Sequence, residues 1–205
     1  PTFLKIRKAK SVEDFKPDPY LATVLNCAMW CFYGLPFVHP DSLLVITING
    51  SGLIIEIIYV TFFFIYSSSS NRRKIIIALV TEIIFFAMVV LITLKIFHTT
   101  KDRSMTVGIL CVCFNIVMYA SPLTVMRMVI KTKSVKYMPF FLSLANLCNG
   151  LVWVVYSLLK FDLYILIPNA LGAFSGLLQL ILYASYYRTT EWDNRTQSET
   201  QLFQA

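Results

Sequence analysis

The chain has 205 residues, of which 57% are hydrophobic and 14% charged, with a mean hydropathy of +0.68. Soluble domains carry about half apolar and about a quarter charged residues, so a soluble globular domain is excluded and a polytopic membrane protein is indicated, its function seated among the helices. The net charge of +7 falls in short clusters at helix ends, which are topology signals rather than a nucleic-acid surface.

Pro1 to Lys16 is polar and carries Lys5, Arg7, Lys8, Lys10 and Lys16, without the apolar core of a signal peptide. Six apolar stretches follow, long enough to span a bilayer at about 20 residues each. They are Pro19–Val38, Leu43–Ser67, Lys74–His98, Met105–Ile130, Met138–Lys160 and Leu163–Tyr187. The loops are short, Ser67–Arg73 (SSSSNRR) being the one of low complexity, and the tail Arg188–Ala205 is polar and expected to be disordered. Fourteen of the eighteen Lys and Arg residues fall on one side of these spans. That side is expected in the cytosol, and Lys95, Lys101, Arg103 and Lys160 lie on the other. Neither sequon, at Asn49 inside a span and at Asn194 on the cytosolic tail, is expected to carry glycan. All five cysteines (Cys27, Cys31, Cys111, Cys113, Cys148) lie in apolar spans as small hydrophobes, so neither a disulfide nor a metal site is expected.

The chain repeats itself. KAKSV at Lys8–Val12 returns as KTKSV at Lys131–Val135, and Asn26, Trp30 and Tyr33 return as Asn149, Trp153 and Tyr156, each displaced by 123 positions. Asn49 (INGSG) meets Asn169 (PNALG) at a displacement of 120, so three residues are missing from the loop between. The span Lys74–His98 has no partner. The expected organisation is a first repeat at residues 1–67, a linker helix at 74–98, a second repeat at 105–187 and a tail at 188–205. Two three-helix copies restore a common direction only with one helix between them, giving parallel repeats and seven spans. By the repeat, the first of the seven precedes Pro1 and is missing from this sequence.

Asn49 and Asn169 stand about 10 Å inside the outer ends of their spans, at 1.5 Å per residue. One reading is a helix–helix hydrogen bond. The other, favoured by the repeat, is a pair of amides facing each other with donors and acceptors suited to a neutral polyol such as a sugar. Trp30 and Trp153 lie near mid-span, away from the interfacial belt, and offer apolar platforms for a sugar ring. Tyr33 and Tyr156 follow one turn outward, and Asp162 lies where a Tyr hydroxyl donating to it closes an outer mouth. Pro19 and Pro139 open corresponding helices and Pro122 interrupts a third, candidate hinges, although Pro19 also fits an ordinary first-turn proline. Pro168 loosens the last span beside Asn169. Glu56 and Glu82 are the carboxylates inside spans. Such groups mark proton pathways by default, but neither recurs in the other copy, which favours local hydrogen bonding.

KSVEDF, NCAMWCFYGLPF, TINGSG, MYASPLTVMRMVIKTKSVKYMPFFLSL and IPNALG resemble the plant branch of the SWEET sugar transporters (MtN3/saliva family). The resemblance implies an all-α membrane protein of two parallel three-helix bundles joined by an inversion linker helix, a fold whose repeat symmetry is a known example. It also implies bidirectional facilitated diffusion of a mono- or disaccharide by alternating access. Carried over, sugar-binding asparagines fall on Asn49 and Asn169, the pocket tryptophan on Trp153, hinge prolines on Pro19, Pro122 and Pro139, and the outer gate on Tyr33 and Asp162. Trp30 stands where some relatives are small, which narrows the pocket toward a monosaccharide such as glucose. The expected partners are the sugar, membrane lipid and further copies in a homo-oligomer such as a trimer, with no nucleic acid and no cofactor, in the plasma or vacuolar membrane. The rival function is a proton-coupled transporter of small solutes, in which Glu56 or Glu82 matters. A retinal-type receptor lacks its lysine in the last span, and no nucleophile–base pair suggests an enzyme.

Overall fold

The computed structural model describes residues 2–12 and 15–192. Residues 193–205, with the Asn194 sequon and Arg195, lie outside the described residues. Among the described residues all regular structure is helical: α1 (Thr2–Ala9), α2 (Asp18–Tyr33), α3 (Leu43–Tyr66), α4 (Ser69–Ile96), α5 (Thr100–Met118), α6 (Ala120–Thr132), α7 (Phe140–Lys160) and α8 (Leu163–Tyr186). Many residues of α3 and α4 are β-branched, a composition that favours strands in water. In hydrocarbon, though, each backbone group must be satisfied within its own segment, and a helix does that. The same demand is met by side chains: the hydroxyls of Ser51, Thr61 and Thr81 donate to the carbonyls four residues earlier at 2.7–2.8 Å.

Five stretches are long and apolar enough to cross a membrane: Leu43–Tyr66, Ser69–Ile96, Thr100–Thr132, Phe140–Lys160 and Leu163–Tyr186. They match five of the six predicted spans. The sixth, predicted as Pro19–Val38, is helical only to Tyr33, because the pair Leu35-Pro36 resists continuation. Residues 34–39 run on as turns, with the Val38 and His39 N–H groups both donating to the Leu35 carbonyl at 2.8 Å. The predicted span Met105–Ile130 is interrupted at Tyr119, between α5 and α6. Pro122 has no N–H, so the Met118 carbonyl has no helical donor there.

The two ends of the described chain are ordered, the second against the expectation of a disordered tail. The polar start is helical: α1 is the counterpart, 123 positions earlier, of the last two turns of α6. Both helices stop at a lysine in the left-handed region, Lys10 and Lys133, each with φ 51°. The first five tail residues are ordered by packing. Thr190 is buried and its hydroxyl oxygen accepts from the Val135 N–H at 2.9 Å, the Thr189 hydroxyl donates to the Lys133 carbonyl at 2.6 Å, and Trp192 packs on Tyr187.

The chain forms two compact units, Pro1–Phe114 and Asn115–Ala205. In the first, α2 packs along α3, and α4 lies against α2. Its core joins Ile6, Val12, Leu21, Val60, Phe63 and Ile75. In the second, α8 packs along α7 and against α6, over a core of Met126, Val129, Val135 and Met138. Ile6 and Val12 are the repeat partners of Val129 and Val135, so the internal echo is visible in packing as well as in sequence. The α7–α8 seam is closed by small residues: a Cβ on Gly150 would lie 2.7 Å from the Ala173 nitrogen, and one on Gly176 2.8 Å from the Leu147 nitrogen. Outward of both units stand large apolar side chains such as Ile76, Ile83, Leu91, Leu142 and Val152, the surface a bilayer covers.

Candidate sugar site

The predicted residues fall into two sets of the same build, one in each unit. In the first unit α2 carries Trp30 and Tyr33, both buried, with rings edge to face at 5.4 Å and 80°. In the second α7 carries Trp153 and Tyr156 at 5.4 Å and 85°. On the neighbouring helices the Asn49 amide donates to the Val45 carbonyl at 2.9 Å and the Asn169 amide to the Ile165 carbonyl at 2.8 Å. Each bond goes to the residue's own helix, so this is not the amide glue between helices that the first reading required. It orients the side chain and leaves one N–H and the carbonyl oxygen of each amide to recognise something else.

The predicted gate residues are held differently from each other. Tyr33 is fully buried and stacks on His39 at 4.7 Å and 17°. Asp162 is the N-cap of α8, its Oδ1 accepting from the Tyr164 and Ile165 N–H groups at 2.9 and 3.2 Å, where a carboxylate also meets the positive end of the helix dipole.

The prolines split likewise. Pro19 lies in the first turn of α2 and Pro139 is the N-cap of α7 with φ −63° and ψ 129°. N–H groups in a first turn have no helical partner, so neither proline removes a hydrogen bond. Pro122 sits just after the Tyr119 interruption, and Pro168 is inside α8, one residue before Asn169. Glu56 and Glu82 each keep Oε2 buried without a hydrogen-bond partner. Glu56 occupies, at displacement 120, the place of the tightly packed Gly176.

Further polar residues near Tyr33 carry no clear signal in the sequence. Ser104 donates to the Val38 carbonyl, which spends its one hydroxyl proton, so His39 Nδ1–H is the donor in the 3.0 Å His39–Ser104 contact. Arg103 donates from Nε to the Phe97 carbonyl at 2.9 Å and from its guanidinium to the Phe37 carbonyl at 3.0 Å. Together they strap the loop behind Tyr33 to the start of α5. Asn26, one turn before Trp30, keeps its Oδ1 buried without a partner; its recurrence as Asn149 was the one available hint.

A sequence profile of the family described as "Sugar efflux transporter for intercellular exchange" matches the chain twice, at residues 1–71 and 105–191. The bidirectional sugar transporter SWEET5 of Arabidopsis thaliana is 64% identical over 95% of this chain and 81% of its own length. Its SWEET4 from the same plant is 59% identical over 95% and 77%. In structure the chain is similar to a eukaryotic SWEET transporter solved at 3.7 Å resolution, with a TM-score of 0.87 and 41% identity over 91% of this chain and 87% of that one. Matched in both halves and across the fold, this integral multi-pass membrane protein belongs to the MtN3/saliva family, the plant SWEET sugar transporters.

Proposed function

We propose that the protein is a bidirectional, facilitative sugar transporter that takes a monosaccharide such as glucose through alternating access. Its substrate is held by Asn49, Asn169, Trp153 and Trp30. One observation carries the reading: the same Trp–Tyr pair and the same self-anchored asparagine occur once in each unit, at matching distances. A polar group with spare donors and acceptors and an indole, each present once per unit, suit a ligand that is hydroxylated at its rim and apolar on its ring faces. The bulk of Trp30 favours the smaller sugar. Tyr33, Tyr156 and Asp162 serve as outer gate residues and Pro19, Pro122 and Pro139 as hinge positions, the two repeats being joined by α4 as linker.

A buried hydroxyl left without its partner costs about 1–3 kcal/mol. Asn49→Ala or Asn169→Ala therefore weakens D-glucose binding about tenfold, and Trp153→Ala does likewise by removing the platform. Affinity and melting temperature are measured together on detergent-purified protein; normal affinity with lowered stability in both Asn variants rejects the site. Proton coupling is the second reading, kept by the unpartnered carboxyl oxygens of Glu56 and Glu82. It requires glucose counterflow in proteoliposomes to respond to an imposed pH gradient and to lose that response in Glu56→Gln or Glu82→Gln.

A further inference from the structure

Two irregular points of the second unit meet at Tyr119. The residue lies between α5 and α6, where the run Thr100–Thr132 is interrupted, and its hydroxyl donates to the carbonyl of Pro168 in α8. Pro168 lies inside α8 and, having no N–H, takes one donor out of the helix ladder beside Asn169. The phenol reaches it because residue 172 is glycine: a Cβ there would stand 2.7 Å from the Tyr119 oxygen and 3.5 Å from Cζ. Tyr119, Pro168 and Gly172 therefore form one fitted contact, from the α5–α6 interruption to the peptide that carries Asn169.

We infer that Tyr119 is a positioning residue for substrate: its hydroxyl fixes the Pro168–Asn169 peptide so that the Asn169 amide presents its free N–H and carbonyl oxygen to the sugar. The inference rests on Asn169 being a sugar ligand. The Asn169 side chain has one anchor of its own, the bond to Ile165, which sets the amide relative to α8. The bond from Tyr119 sets α8 itself at that level, and the interruption before Pro122 supplies the side chain from a second helix. Motion at the α5–α6 interruption is thereby coupled to how well Asn169 is aimed.

Tyr119→Phe deletes the hydroxyl and keeps the ring. One neutral hydrogen bond is worth about 0.5–1.5 kcal/mol net, so the dissociation constant for D-glucose rises about two- to twelvefold, while maximal uptake in proteoliposomes changes less than KM. The decisive measurement is a double-mutant cycle. In an Asn169→Ala background Tyr119→Phe has no further effect on affinity, whereas in an Asn49→Ala background it keeps its full effect. Gly172→Ala, which pushes the phenol away, reproduces the Tyr119→Phe phenotype. An unchanged affinity in Tyr119→Phe, or a loss that adds in full to that of Asn169→Ala, overturns the inference. If Asn169→Ala alone leaves affinity unchanged, the sugar-ligand reading of Asn169 fails, and the inference built on it fails too.

Discussion

Adding one methyl group to the α7–α8 seam separates two opposing effects. In an exposed or roomy helix position Gly→Ala stabilises by up to about 1 kcal/mol, because alanine loses less backbone entropy. At Gly150 the new Cβ would sit 2.7 Å from the Ala173 nitrogen and 2.9 Å from its Cα, where 3.4 Å marks the start of ordinary contact. These are backbone atoms that cannot swing aside, so α7 and α8 must part by about 0.7 Å. A gap of that size forfeits a quarter to a half of each contact along the seam, and overpacking of this kind costs about 1–3 kcal/mol. The clash wins, and Gly150→Ala and Gly176→Ala each lower the melting temperature in detergent by several degrees. Gly50→Ala is the internal control: its Cβ meets only Cys31 Sγ at 3.9 Å, so it is neutral or stabilising. Thermal unfolding followed by tryptophan fluorescence or by size-exclusion retention reads the three side by side. Gly150→Ala as stable as the unchanged protein, with Gly50→Ala no better, refutes the packing argument.

At Asp162, the cap is separable from the proposed gate: Asp162→Ala loses about 1 kcal/mol of stability, while Asp162→Asn keeps the cap, so equal destabilisation by both contradicts the capping geometry. Transport is expected to be uncoupled, since Glu56 and Glu82 have no counterparts in the other copy. Glucose counterflow then holds under a pH gradient of either sign, and a collapse on imposing one, or in Glu56→Gln, shows otherwise. Pro122→Ala returns an N–H to the Met118 carbonyl and straightens the run through Tyr119, which slows exchange between inward-open and outward-open states; wild-type uptake in that variant removes Pro122 from the hinge.

The spans were legible because a membrane simplifies the code: length and unbroken apolarity suffice, and duplication supplied a second view of each motif. The displacement of 123 and then 120 places Lys10 on Lys133, and Asp41 on Phe161, all four with left-handed backbones, so even turn geometry was latent in the alignment of the chain with itself. Asn49, Asn169, Trp30 and Trp153 stood out as polar or bulky residues deep in apolar runs. Other features depend on partners distant in sequence. The strap of His39, Arg103 and Ser104 joins residues some 65 apart, and no local pattern marks a polar side chain that will cap a loop. In the sequence Tyr119 is one aromatic among many, and only its bond to the Pro168 carbonyl distinguishes it. The tail misled for the opposite reason: its composition is that of a disordered segment, but the free backbone groups of a neighbouring loop gave its threonines something to hold.

That last contact bears on where the folded part of the chain can be cut or joined. The Val135 N–H, just past the left-handed Lys133, is met by Thr190, and Thr189 answers the Lys133 carbonyl. A reporter fused straight after Tyr187 would leave a buried N–H and a carbonyl bare and strip Trp192 from the hydrophobic cluster beneath. The boundary that respects the architecture lies after Trp192, five residues beyond the point at which hydropathy alone would place the scissors.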